Sequence, residues 1–434
     1  MTFKLIPALA AAVALLLVSA PSAIAQSEEA DPPDLRQSVL GLRNATLEAA
    51  RVEDWVSARR TNNAALMIQP GHPRLLNNAV LIAARSGDEA GLWTALETIA
   101  RAGLVFQLDD LGEAGERLAE TDSDRYAALA ERLAGNSAPR GQAREFARVP
   151  LEDALIEAVA VDIETERLFL GGVAEPGIWR VEPFDPGAPE KIAGAAEGLS
   201  SVLGLAVDRR HRLLYVASAP VPQTPGEAPQ STALFAFDLN DASLVRRIEI
   251  DGAARIGDVM VAEGVVYASD AEAGRIYRLS APDAEPEIFS QDSRYVSLQG
   301  LAVARGALWA ADYAMGLWRI DLADGQARRV ESETASLIGL DGLTAGRGDV
   351  LFAVRNGADP HALLRITFTG DHTVSAEPVL SGHPAFGEPT QIRAGDGRLF
   401  LLANARWAAF PEDEDTEAGE REPARILTLA QDPN

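Results

Sequence analysis

No cysteine occurs among the 434 residues, so neither a disulfide nor a thiolate metal site can be built from this chain. Lysine is nearly missing as well: Lys4 and Lys191 are the only two, and arginine carries the rest of the positive charge. That charge is in deficit. The formal net charge of -25 makes a surface that repels nucleic acid and anionic lipid, so neither is an expected partner. Histidine is scarce and scattered, at His72, His211, His361, His372 and His383. No H-E-x-x-H, G-x-S-x-G or P-loop pattern is present, which removes the zincin, serine-hydrolase and nucleotide-binding readings. Long apolar runs are confined to the start, where Lys4 precedes an Ala- and Leu-rich run over residues 5–18 and a small-x-small site over 23–25. Residues 1–25 therefore read as a cleavable signal peptide, followed by a linker over 26–34. A periplasmic or secreted protein is expected, with no membrane insertion.

Residues 35–135 carry a helical period, with Ala and Leu at three- and four-residue steps. Breaks fall at QPGHPR (69–74), RSGDE (85–89), RAG (101–103) and ETDSD (120–124). Small residues Ala58 and Ala65, with Pro70 at the turn, resemble the layout of a tetratricopeptide-like helical hairpin. A generic helical bundle serving as a packing arm is the other reading. Either way the arm is a candidate surface for a protein or peptide partner.

NSAPRGQAR (136–144) reads as a linker, and after it the character changes. Over 145–434, short apolar strands alternate with Gly, Asp, Asn and Pro turns. One phrase recurs: EAVAVDIETERLFLGG, GLAVDRRHRLLYVAS, DVMVAEGVVYASD, GLAVARGALWAAD, GLDGLTAGRGDVLFAV and QIRAGDGRLFLLAN. Anchored at Ala158, Gly204, Asp258, Gly300, Gly342 and Gln391, these repeats lie roughly 42 to 54 residues apart, the length of a propeller blade. The expected fold class is a small N-terminal α domain followed by an all-β six-bladed propeller. EFARVPL (145–151) would supply the missing outer strand of the last blade and close the circle. Trp179, Trp309 and Trp318 fall at strand positions and are expected to pack between blades. The inserts at 221–229 and 411–422 read as solvated loops.

Residues just before each innermost strand line one mouth of a propeller's channel. Here they are Glu157, Leu203, Gly257, Gln299, Asp341 and Thr390, with Asp258 and Gln391 one step further on. Two carboxylates ~6 Å apart repel by roughly 3 kcal/mol at an effective dielectric near 20. A shared proton, admitted water or a bound cation relieves that repulsion. A ring of carboxylate and amide oxygens without imidazole or thiolate suits a hard divalent cation such as calcium. Two loops over the same mouth offer Arg355, Asn356 and His361, and Asn404, Arg406 and Trp407, as groups for holding a polar or anionic small molecule.

The blade EAVAVDIETERLFLGGVAEPGIWRV is similar to the opening blade of the gluconolactonase and regucalcin family, relatives of the paraoxonases, and GLDGLTAGRGDVLFAV resembles that family's aspartate-bearing blade. The resemblance covers roughly 150–430 and implies that Glu157 and Asp341 are metal ligands, with Asp341 also the general base. The family's two asparagine ligands correspond here to Gln299 and to Gly257 beside Asp258, and Leu340 stands where the family has proline. The implied activity is metal-assisted hydrolysis of a lactone or related ester. The rival is a non-catalytic propeller that binds a ligand or protein, with the helical arm as docking surface.

Overall fold

The structure is a computed structural model that describes residues 35–412 and 416–431. The segments read as a signal peptide (1–25) and a linker (26–34) lie outside the described residues, as do three residues of the acidic insert. Among the described residues no helix is long and apolar enough to cross a membrane.

Among the described residues six α-helices come first: α1 (Leu35–Arg51), α2 (Trp55–Ile68), α3 (Pro73–Ser86), α4 (Glu89–Arg101), α5 (Glu113–Thr121) and α6 (Ser123–Ser137). Their starts are written in the sequence. Asp54, Asp88 and Asp122 each accept a hydrogen bond from a first-turn backbone N–H, at 3.1, 3.0 and 3.1 Å, satisfying donors the helix cannot. Gly87 closes α3 in the left-handed region, φ 69°, where a side chain would be strained. Leu76, Val80, Trp93, Leu96, Ile99 and Leu133 bury the apolar stripes of α3, α4 and α6 against one another.

Strands occupy the rest, in six four-stranded antiparallel meanders. Two of these, over 298–332 and 340–381, are joined into one sheet by a short parallel pairing of Glu331 and Ser332 with Thr373 and Val374. In the last meander Arg144–Val149 pairs with Ala424–Ala430, so the strand preceding the first repeat is the outer strand of the last. The innermost strands are Ile156–Asp162, Val202–Asp208, Ile256–Ala262, Leu298–Ala304, Leu340–Ala345 and Ile392–Gly395. Each packs on the next, and the sixth also packs on the first. The architecture is a helical region joined to a β-propeller.

Apolar side chains of facing meanders form the core. Trp179 packs with Phe400 and Leu402, Trp309 with Leu343 and Leu351, and Trp318 with Tyr267 and Ile276, each between neighbouring sheets as the strand positions imply. The recurring glycine has a packing reason. A Cβ at Gly204 would come within 2.7 Å of the Asp258 backbone, and one at Gly342 within 2.9 Å of Gln391 Cα, so the innermost strands can crowd the axis only without it.

Helices and strands are held together by polar contacts as well. Gln69 donates to Ala314 O at 2.9 Å, Arg329 to Ile68 O at 2.6 Å and Ser336 Oγ to Gly71 O at 2.8 Å. The backbone N–H of Ser336 donates to Ala102 O at 2.9 Å. Ala358 joins the apolar core of the helices.

Candidate active site at one mouth of the channel

The strand register places the site residues. In the first innermost strand the pairing slips between Ile156 and Ala158, in the third between Ile256 and Asp258, and in the fifth between Leu340 and Leu343. A slip of this kind leaves the extra residue out of the ladder and re-aims its side chain. The residues released are Glu157, Gly257 and Asp341, and a similar slip between Leu298 and Leu301 releases Gln299. All four line one cavity of about 300 Å³, together with Thr390 and Gln391 from the sixth repeat. Glu157, Gln299 and Asp341, read from separate repeats, are thus brought together.

Both carboxyls are buried, Glu157 at 9 % exposure and Asp341 at 7 %. Glu157 accepts a hydrogen bond from the indole N–H of Trp407 at 2.8 Å, and Asp341 one from the Asn356 amide at 2.8 Å. Burial, then the charge of Asp341, pushes Glu157 well above the ordinary carboxyl range. Burial pushes Asp341 to about 7, against the pull of Asn356 and with further push from Asp258 and Glu388. A carboxylate that protonates near neutrality is suited to general-base work.

Asp258 departs from the expected ligand ring. Its side chain is 1 % exposed and pairs with Arg393 at 2.9 Å, and that guanidinium also donates to Leu205 O at 2.9 Å. Its Oδ1 is engaged in a buried ion pair below the mouth, its Oδ2 has no hydrogen-bond partner among the described residues, and Gly257 lines the cavity in its place. Burial still raises Asp258 above its usual range, with Arg393 opposing.

The loop residues divide. Asn356 reaches the site and also donates to Pro389 O at 2.9 Å. Arg355 does not: it is 2 % exposed and donates to the carbonyls of Gly103, Ser336 and Pro360, so it pins the helical region instead of facing a ligand. Burial brings its guanidinium down to about 10. Asn404 braces its own loop, donating to Pro423 O and accepting from the Arg425 backbone, and Arg406 pairs with Glu422 at 2.7 Å. None of Arg355, His361, Asn404 and Arg406 lines the cavity; His361 is close enough for its charge to act on Glu388.

Glu388 and Tyr313 line the cavity without having been expected from the sequence, while Trp407, read as a loop residue over the mouth, does line it. Glu388 holds φ 126°, a strained backbone for a non-glycine residue, and accepts the Trp407 backbone N–H at 2.9 Å. Burial raises its carboxyl. Trp407 therefore ties two acids at once, one through its indole and one through its backbone. The strand period offers no signal for Glu388, because it precedes Thr390, the repeat's expected mouth position, by two residues.

The donor set fits a hard cation. Gln391 Oε1 and Asn356 Oδ1 are buried acceptors with no hydrogen-bond partner among the described residues, and Gln299 donates through Nε2 to Ser297, which leaves its oxygen as the atom that could ligate. Unpartnered buried acceptors beside two repelling carboxyls are what a cation or a hydroxyl-rich ligand relieves. Among the described residues no group of three or more His, Cys, Asp or Glu side chains is arranged to hold a metal, so two carboxylates, amide oxygens and water would make the shell.

No protein-family model and no curated protein matches the chain. Its structural neighbours are β-propellers of gluconolactonase, glucose dehydrogenase and virginiamycin lyase type. A gluconolactonase of Xanthomonas campestris is similar at 14 % identity over 68 % of this chain and 92 % of its own, TM-score 0.46. The PQQ-bound aldose sugar dehydrogenase of Streptomyces coelicolor is similar at 15 % identity over 67 % and 99 %, TM-score 0.47. A catalytically inactive virginiamycin B lyase of Staphylococcus aureus is similar at 14 % over 66 % and 99 %, TM-score 0.48. At such identity and overlap the neighbours differ in activity among themselves and assign none to this chain.

Proposed function

We propose that the chain is an exported hydrolase of lactones or related esters, acting at the carboxylate mouth of a six-bladed propeller closed by the Arg144–Val149 strand. The observation that carries this reading is the pairing of Glu157 and Asp341, both buried and both pushed up in pKa, in one cavity with unpartnered oxygens. The six meanders and the pairing of Arg144–Val149 with Ala424–Ala430 support the blade count and the closure.

Asp341 takes the proton from the attacking water, its carboxylate held in one orientation by Asn356, and returns that proton to the alkoxide oxygen as the ester C–O bond breaks. Glu157, fixed by Trp407, faces the carbonyl oxygen and, when protonated, donates a hydrogen bond to it as negative charge develops. Alternatively Glu157, ionised, would hold a divalent cation, calcium by preference, with Asp341 and Gln299, and the cation would supply Lewis-acid polarisation of the carbonyl in place of the Glu157 proton. Asp258 is left out of that set by Arg393.

Purified protein assayed by pH-stat on γ- and δ-lactones and aryl esters, with millimolar calcium, magnesium or manganese, tests the reading. Turnover lost in Asp341→Asn is expected. No turnover of any probe, together with no ion bound by calorimetry, would discard it.

A non-catalytic binding propeller with the helices as docking surface is the second reading. It is favoured by apolar side chains left open on α2 and its approach, Val52 at 75 %, Val56 at 69 % and Met67 at 82 % exposure. A protein or peptide captured through those residues, with wild-type lactone turnover absent, would decide for it.

A further inference from the structure

A second cavity, of about 380 Å³, lies between α1, α3 and the propeller. Arg43 on α1 and Arg74 on α3 flank it, and among the described residues neither guanidinium has an ion-pair or hydrogen-bond partner. This is unlike the arginines of the blades, where Arg180, Arg212, Arg278 and Arg398 all pair with carboxylates. His72 lines the same cavity and is driven down to about 4 by burial and by both positive charges, so it adds no third charge. Gln69, 6 % exposed, lines the same cavity with Oε1 buried and unpartnered. The backbone contributes as well. α3 begins at Pro73 beside this cavity, and its first turn has no side-chain cap.

Tyr313 lines both this cavity and the carboxylate mouth. Its ring packs over Gly357, where a Cβ would lie 2.8 Å from Cζ, directly beside the Asn356 that orients Asp341. Burial raises the phenol to about 12, with Asp341 and Glu388 adding to the push and Arg74 opposing it. Acidic groups therefore act on this ring from one cavity and a basic group from the other. In a chain of net charge -25, these two guanidiniums without carboxylate partners give an anion a local attraction beside the mouth.

We propose that the helical region completes the substrate site: the cleft flanked by Arg43 and Arg74 receives a carboxylate or phosphate substituent of the substrate, and Tyr313 is the wall it shares with the mouth. The reacting end rests on the hydrolase reading above; the anion subsite does not. Two guanidiniums supply the charge-assisted hydrogen bonds, and the unpartnered oxygen of Gln69 accepts from a neighbouring hydroxyl. A hydroxylated acid or sugar phosphate has both groups at the required spacing of chemistry, an anion next to a donor.

Calorimetric titration of the full-length protein at low salt with glucuronate, glucose 6-phosphate and glucose reads the subsite directly. At least one anion is expected to bind tenfold or more tightly than glucose, and which one tells carboxylate from phosphate. The double variant Arg43→Gln, Arg74→Gln should lose that preference with an unchanged melting temperature. Arginine-selective modification of the wild type by phenylglyoxal, read by mass spectrometry, provides a measurement independent of variant folding. The preferred anion should protect Arg43 and Arg74, and glucose should not. Asp341→Asn should keep the preference, so a protein that hydrolyses nothing can still bind the anion here. Equal binding of all three probes, a preference that survives the double variant, or unprotected arginines would overturn the proposal.

Discussion

The two ends of the central channel are built from the same six innermost strands, yet they have opposite chemistry. One end, of about 300 Å³, presents Glu157, Gln299, Asp341 and Gln391. The other, of about 340 Å³, presents Ala160, Ala206, Met260, Leu301, Leu343 and Arg393 from the same strands. Arg393 and Asp258 form an ion pair between them. Register explains the difference. Five of the six innermost strands slip at the carboxylate end and pair regularly after it, as in Val159 with Leu170 and Thr344 with Phe352. The slip turns one residue per strand toward the axis, and in three of the five strands that residue is an acid or an amide: Glu157, Gln299 and Asp341. The carboxyls of Glu157 and Asp341 thus face one mouth, while the other is lined mainly by small and apolar side chains, with Arg209, Thr344 and Arg393 among them.

Asp341→Asn is the sharpest way to break that contrast, and its expected cost is about 10²- to 10⁴-fold in hydrolysis rate with no loss of melting temperature. A variant that keeps its rate would return the two mouths to equal standing. Arg393→Met should destabilise the fold by roughly 3–5 kcal/mol in urea unfolding, because it leaves Asp258 buried and unpaired, and adding Asp258→Leu should restore much of that loss. Arg355→Met, which removes the charged donor to Gly103 O, should cost about 1.5–3 kcal/mol and open the segment over 138–143 to limited proteolysis.

The pH response distinguishes the mouths more gently. Asp341 ordinarily ionises near 3.8 and is pushed to about 7 in the fold. Its contribution to stability is full below the lower value and is lost as pH rises through the upper one, since the folded state retains a proton that the unfolded chain releases. The melting temperature of wild type relative to Asp341→Asn should therefore fall from about pH 4 to about pH 7 in differential scanning calorimetry, and millimolar calcium should shrink the fall. Thr344→Ala, at the apolar mouth, should leave hydrolysis within about twofold.

The strand part of the fold was legible because its repeats put the same phrase at each innermost strand. Glu157, Gln299 and Asp341 could be aligned on that phrase, since a bulge at a fixed place in each repeat releases the same position. Asp258 misled because it stands one step beyond the released position: the third bulge frees Gly257, as the alignment has it, and leaves the aspartate in the ladder beside Arg393. Arg355 misled because a loop arginine next to Asn356 looks free until the helices are seen to cover it. Glu388 and Tyr313 follow no repeat, and only packing brings them to the mouth.

The local alternation of short strands and turns, the capped helical stretches and the acid-bearing repeat positions are properties of neighbouring residues, and the sequence alone determined them. Which acids face one another, which arginines are spent on carbonyls and which stand open beside Tyr313 were decided by tertiary structure. Burial and charge pairing act through space between residues as far apart in the chain as Glu157 and Trp407, and no local pattern encodes such distances.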